Sequence, residues 1–179
     1  MKDKYIILIV GKSGSGKSTI CDALTEKYGL KQVKSYATRP RRGDNDNSHI
    51  FITLEEFMAL EDKCAYTFFD GNHYCATSKQ IDESDLYIID PNGIDYFLKH
   101  YEGKKIPMIV YINASKDNRF NRMIERGDSK YRANKRLAHD KKAFDMEFIN
   151  DYAMKVYENN TREDLDYIVD DIYKVFFRE

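Results

Sequence analysis

Apolar residues in this chain fall into short unbroken runs, with helically spaced polar and apolar residues between them. Tyr5 to Val10 reads YIILIV and stops at Gly11. An apolar run without alternation predicts a strand covered on both faces, as in a parallel sheet. Leu86 to Ile89 and Met108 to Ile112 have the same form and end at Asp90-Pro91 and at Asn113. Ser18 to Tyr28 predicts a helix, with Ile20, Ala23 and Leu24 on one face and Gly29 closing it. Ile94 to Tyr101 and Ser115 to Arg126 predict two more. Ala133 to Glu158 reads as one long helix, Tyr167 to Val169 as a further strand, and Asp171 onward as a final helix. Strands alternating with helices predict an α/β fold, a parallel sheet flanked by helices.

Val33 to Tyr74 breaks this rhythm. It holds a basic, turn-prone segment, SYATRPRRGDNDNSHIFI, a short helical pattern near Leu54 to Glu61, and the aromatic stretch YTFFDGNHY. This predicts an α+β insertion on the sheet. A second interruption, GDSKYR at Gly127 to Arg132, splits a strongly basic helical region.

The chemistry begins directly after the first strand. Gly11-Lys12-Ser13-Gly14-Ser15-Gly16-Lys17-Ser18 satisfies GxxxxGK[ST] between a predicted strand and a predicted helix. Glycines let successive backbone N–H groups point into one concavity, and the following helix adds the positive end of its dipole. In this pattern Lys17 reaches the β- and γ-phosphates and the Ser18 hydroxyl serves Mg²⁺. Ser13, Gly14, Ser15, Gly16, Lys17, Ser18 and Thr19 are therefore the candidate ATP-binding residues, and the fold narrows to the P-loop NTPase type.

Composition bears on the class of partner. The 29 basic and 30 acidic residues nearly cancel, which gives no support for a nucleic-acid or membrane surface. Cys21, Cys64 and Cys75 are an odd number without metal-ligand spacing, as expected of free thiols in a reducing compartment. No apolar run approaches the length of a membrane span or a signal h-region, so the expectation is a cytoplasmic protein. The 179 residues are read as a single unit.

Two groups of arginines point beyond nucleotide binding to phosphoryl transfer, which relies on positioning and on charge stabilisation. Arg39, Arg41 and Arg42 lie close to Ser35 and Thr38. Arg119, Arg122, Arg126, Arg132 and Arg136 bracket the GDSKYR loop, and Arg122 and Arg126 share a helix face. A loop carrying arginines suits a closing lid.

The order of these motifs resembles the guanylate kinase family. The match runs through the P-loop, Ser35, Thr38-Arg39-Pro40-Arg41-Arg42-Gly43, Gly71-Asn72-His73-Tyr74, Asp90, Arg122, Arg126-Gly127 and Asn134-Lys135-Arg136-Leu137. The resemblance implies a core (1–32, 82–125 and 137–179), a nucleoside-monophosphate arm (33–81) and a lid (126–136). It implies that Ser35, Arg39, Arg42, His49, Tyr74 and Thr77 hold the acceptor. Lys17, Arg122, Arg126, Arg136 and Asp90 would serve catalysis, with Mg²⁺ on Ser18 and ATP as donor. The chain departs from the family at four positions. His49 stands where the family has tyrosine, and Ala65 where its glutamate binds guanine. Ile88 stands where it has an acid, and Thr77 matches only across an inserted residue. A site that lacks a base-edge acceptor discriminates less between bases. The sequence thus leaves open a kinase with another phosphorylated acceptor and a non-catalytic binding module. The intact Lys17-Ser18 pair and lid arginines speak against the latter.

Overall fold

The computed structural model describes residues 4–41, 43–44, 46–144 and 151–178. Its centre is a parallel sheet of β1 (Tyr5–Val10), β6 (Leu86–Ile88), β7 (Ile106–Asn113) and β8 (Lys155–Glu158), in the order β6-β1-β7-β8. The unbroken apolar run of β1 now has its reason. Ile7 and Ile9 pack into one core with Ile20, Cys21 and Leu24 of α1 (Lys17–Tyr28). Ile6, Leu8 and Val10 pack into the other, with Ile94 and Phe97 of α4 (Pro91–His100). Ile6 to Ile9 are all fully buried. Each such side chain contributes roughly 1.5–3 kcal/mol over exposure, so this strand anchors the loop that follows it.

Within residues 36–77 lies a second sheet, of β2 (Tyr36–Ala37), β3 (Ile50–Phe51), β4 (Lys63–Phe69) and β5 (Asn72–Thr77), in the order β3-β2-β5-β4. Its β4–β5 hairpin turns at Asp70 (φ 50°) and Gly71 (φ 77°), the Asp-Gly pair that a tight two-residue turn favours. Two short helices, α2 (Leu54–Ala59) between β3 and β4 and α3 (Ser78–Asp82) after β5, both start with a capping box. The remaining helices are α5 (Lys116–Glu125), α6 (Lys130–Ala143) and α7 (Arg162–Phe176).

Two expectations from the sequence are corrected here. Residues 133–158 are not one helix. α6 ends at Ala143, and Lys155–Glu158 is a strand paired in parallel with β7. β8 is a short edge strand with Tyr157 buried and Val156 exposed, too brief to show alternation among its charged neighbours. Tyr167 to Val169 is not a strand but the middle of α7. Leu165, Ile168, Val169, Ile172 and Phe176 are buried at three- and four-residue spacing, a helical stripe visible only over a longer window. Thr161 and Asp164 form its capping box.

Among the described residues no helix is long and apolar enough to cross a membrane.

Candidate active site

The glycine loop connects β1 to α1 at the carboxyl end of the sheet, where open parallel sheets bind ligands. Two glycines are required by backbone geometry. Gly14 has φ 78° and Gly16 φ 95°, conformations that side chains resist, and a Cβ on Gly16 would lie 2.3 Å from Asn159 Nδ2. Gly16 caps α1 with no side-chain hydrogen bond, so no capping side chain occupies the first-turn N–H groups. Lys17 folds back over the loop and donates from Nζ to the carbonyls of Gly11 (2.6 Å) and Lys12 (3.2 Å). Burial lowers its pKa to about 8, and the Asp140 carboxylate is the main opposing influence.

Three other elements close around this loop. From the residue just after β8, Asn159 donates Nδ2 to the Ser15 carbonyl at 2.8 Å. Its Oδ1 is buried with no hydrogen-bond partner, as is the neighbouring Ser15 hydroxyl. From α5, Arg122 donates to the Asn159 carbonyl (2.9 Å) and reaches the Gly14 carbonyl at 3.5 Å. From α6, Asp140 accepts from Ser13 N–H (2.8 Å) and Ser13 O–H (3.3 Å), and pairs with Arg119 at 3.2 Å. Arg126 pairs with Asp128 at 2.6 Å. Burial alone would raise the Asp128 pKa, but the hydrogen bond and charge of Arg126, with the charges of Arg136 and Arg132, bring it below the usual range. Of these three arginines, Arg126 is the one bonded to this carboxylate. Ser18 and Thr19 are exposed at the start of α1.

On the opposite side, residues of the second sheet and its approach come together. The Ser35 hydroxyl and His49 Nδ1 are 2.9 Å apart, and the His49 ring meets Tyr74 edge-on with centroids 5.5 Å apart. Arg39 is only 8% exposed and is engaged within the same segment. Its guanidinium donates to Asp46 (2.8 Å), Ser48 (3.0 Å) and the Pro40 carbonyl (2.9 Å), and stacks on Phe51. Arg42 lies outside the described residues. A cavity of about 620 Å³ is lined by residues of both groups, Ser18 and Asp22 of α1 together with Ser35, Ser48 and His49.

Two further expected residues, Asp90 and Thr77, each cap a helix. Asp90 caps α4, accepting from Gly93 N–H (2.8 Å) and the Thr67 hydroxyl (3.0 Å). Thr77 caps α3, its hydroxyl accepting from Gln80 N–H at 3.3 Å. Ala65 is buried in an apolar cluster with Ala76 and Ile81. Burial raises the Cys75 pKa to about 12, so this thiol stays protonated at neutral pH.

Asn159 and Asp140 went unrecognised in the sequence. With β8 read as the end of a helix, Asn159 did not appear as a residue at the carboxyl end of a parallel strand. Asp140 is 127 residues from its partner Ser13 and has no local motif.

A glycine loop of this shape between the first parallel strand and its helix defines the P-loop fold. A family model described as an AAA domain matches residues 7–166. Curated guanylate kinases are similar in sequence. That of Helicobacter pylori is 32% identical over 149 residues, covering 75% of this chain and 71% of that protein. Those of Clostridium perfringens (32% over 133 residues) and Fusobacterium nucleatum (30% over 83 residues) are similar over 68% and 44% of this chain. The matched stretches span 61% and 45% of those two relatives, about half to three fifths of their length. The crystal structure of guanylate kinase from Anaplasma phagocytophilum superposes with a TM-score of 0.58 at 17% identity, over 98% of this chain and 85% of that one, and shares the fold. The chain belongs to the guanylate kinase family.

Proposed function

We propose that this protein is an ATP-dependent nucleoside monophosphate kinase that phosphorylates GMP or dGMP. One observation carries the reading: a single cavity is lined both by the P-loop serine Ser18 and by the expected acceptor residues Ser35 and His49. A donor and an acceptor phosphate held there would lie within reach of each other. Family membership supports the choice of acceptor.

In this reading the acceptor phosphate oxygen attacks the γ-phosphorus of ATP in line. The new P–O bond forms as the bond to the bridging β–γ oxygen breaks, and ADP leaves. Lys17 and the loop N–H groups hold the donor. Arg122, Arg126 and Arg136 spread the charge of the transferred group. Ser35, His49 and Tyr74 hold the acceptor phosphate, with Arg39 and Arg42 from the same segment. Residues 33–81 act as the acceptor arm and residues 126–136 as the lid.

The residues fit Mg²⁺. Ser18 lines the cavity, and among the described residues no cluster of three carboxylates, imidazoles or thiols could hold a metal alone. That suits an ion which keeps waters and relies on substrate phosphates. When bound it would neutralise phosphate charge. The three cysteines are buried and free, which supports a cytoplasmic location.

The test is ADP release in a coupled assay with Mg-ATP and GMP, dGMP, AMP, CMP, UMP, dTMP or no acceptor. We expect turnover with GMP or dGMP well above the others. Preference for a different acceptor, or ADP release independent of any acceptor, would overturn the assignment.

A further inference from the structure

Asp140 is a buried carboxylate at the junction of α6 with the phosphate loop, only 4% exposed. Burying an ion pair costs several kcal/mol per ion unless hydrogen bonds compensate. Elsewhere α5 and α6 pack through apolar residues, Met123 against Ala133 and Leu137. The buried charge pair is therefore confined to the place where α6 also meets the loop.

What Asp140 holds there is one peptide plane. The Ser13 N–H donates to its carboxylate at 2.8 Å. The carbonyl of the same peptide, on Lys12, points the other way because the unit is trans and planar. That carbonyl accepts from Ser15 N–H at 3.1 Å, closing the loop's first turn, and from Lys17 Nζ at 3.2 Å. Fixing one end of the plane fixes the other, and with it one of the two carbonyls that hold Lys17. Arg136 lies four residues before Asp140, one turn along the same helix face, and is half-buried.

We propose that Asp140 is a positioning residue of the donor site: it sets the first turn of the phosphate loop from the helix that carries Arg136, so that Lys17 and Arg136 are held in one frame. Its catalytic consequence rests on the kinase reading above; its effect on the loop does not. Arg119 is then the counter-ion that lets the carboxylate be buried, and Ser13 is the residue it acts on.

The test separates these two contacts. In Arg119→Leu/Asp140→Leu the ion pair is replaced by apolar side chains, a change that often preserves stability. Four quantities are measured in this variant, in Asp140→Ala, in Asp140→Asn and in the parent. They are thermal midpoint, hydrogen exchange of the 11–17 segment, Kd for ATP without acceptor, and acceptor KM. We expect the double variant to melt near the parent, yet to exchange faster in 11–17 and bind ATP about 10-fold more weakly, with acceptor KM unmoved. Asp140→Asn keeps an oxygen for Ser13 N–H and should recover most of both losses. Parental exchange and ATP affinity in the double variant would overturn the proposal. If that variant does not fold, Asp140→Asn against Asp140→Ala decides, and equal exchange in the two would overturn it. A parent that binds ATP but phosphorylates no acceptor refutes the kinase reading while exchange and Kd still judge Asp140.

Discussion

The two sides of the cleft are built differently. On the donor side, α1, α5, α6 and the end of β8 converge on a backbone loop. The side chains that touch it, from Lys17, Asp140, Arg122 and Asn159, bond to its peptide groups. On the acceptor side, side-chain pairs predominate, Ser35 with His49, His49 with Tyr74 and Arg39 with Asp46, beside the Arg39 bond to the Pro40 carbonyl. A loop held by its backbone tolerates few changes and has a recognisable sequence. A pocket held by side chains can be retuned one residue at a time. The departures at His49, Ala65 and Ile88 all fall on the acceptor side of the family pattern, and none falls in the phosphate loop.

The contrast can be broken most sharply at Lys17. Lys17→Ala should leave the thermal midpoint within a few degrees while the single-turnover rate falls about 10²–10³-fold, the loss typical of a charge that acts on the transition state. A rate near that of the parent would remove the donor assignment. Arg39→Ala should raise the acceptor KM about 10-fold or more and leave the KM for ATP unchanged, since charged hydrogen bonds are the stronger class. Asp46→Ala sharpens this. If Arg39 turns from Asp46 to the acceptor phosphate, that variant keeps or lowers the acceptor KM; a rise equal to that of Arg39→Ala would make the pair purely structural.

A smaller effect is expected at the support of the donor side. Asp171 accepts from Tyr157 at 2.6 Å and pairs with Lys155, tying α7 to β8. The Lys155 and Tyr157 hydrogen bonds hold its pKa below the usual value against the effect of burial. A depressed carboxyl stabilises the fold above its ordinary pKa and loses that contribution as pH falls through the folded value. Asp171→Asn should therefore lower the midpoint at pH 7 by about 1–4 °C, as about 0.5–1 kcal/mol would for a partly exposed pair. The gap to the parent should close as pH falls below about 4. A gap constant with pH would contradict this.

Legibility in the sequence follows the same division. The P-loop could be read because its requirements are local: glycines with positive φ, a lysine and a serine, within eight residues from Gly11 to Ser18. The central strands could be read because full burial removes polar residues from them. Ser35, His49 and Tyr74 could be placed together only through the order of family motifs, since no periodicity links positions so far apart. Asp90 matched that order and Thr77 matched it only across an inserted residue; both also cap helices, a local duty that any Asp or Thr before a helix can take. Asp140 and Asn159 were illegible because their partners lie 127 and 144 residues away and their own surroundings are ordinary.

In the proposed reaction one cleft passes a phosphoryl group from ATP to a nucleoside monophosphate. The most direct measurement is to incubate the protein with Mg²⁺, GMP and ATP labelled at its γ-phosphate and to separate the products. The account predicts label in the β-position of GDP, growing one for one with ADP. Label found only in inorganic phosphate, or remaining in ATP while the protein is folded and saturated with both nucleotides, would contradict it.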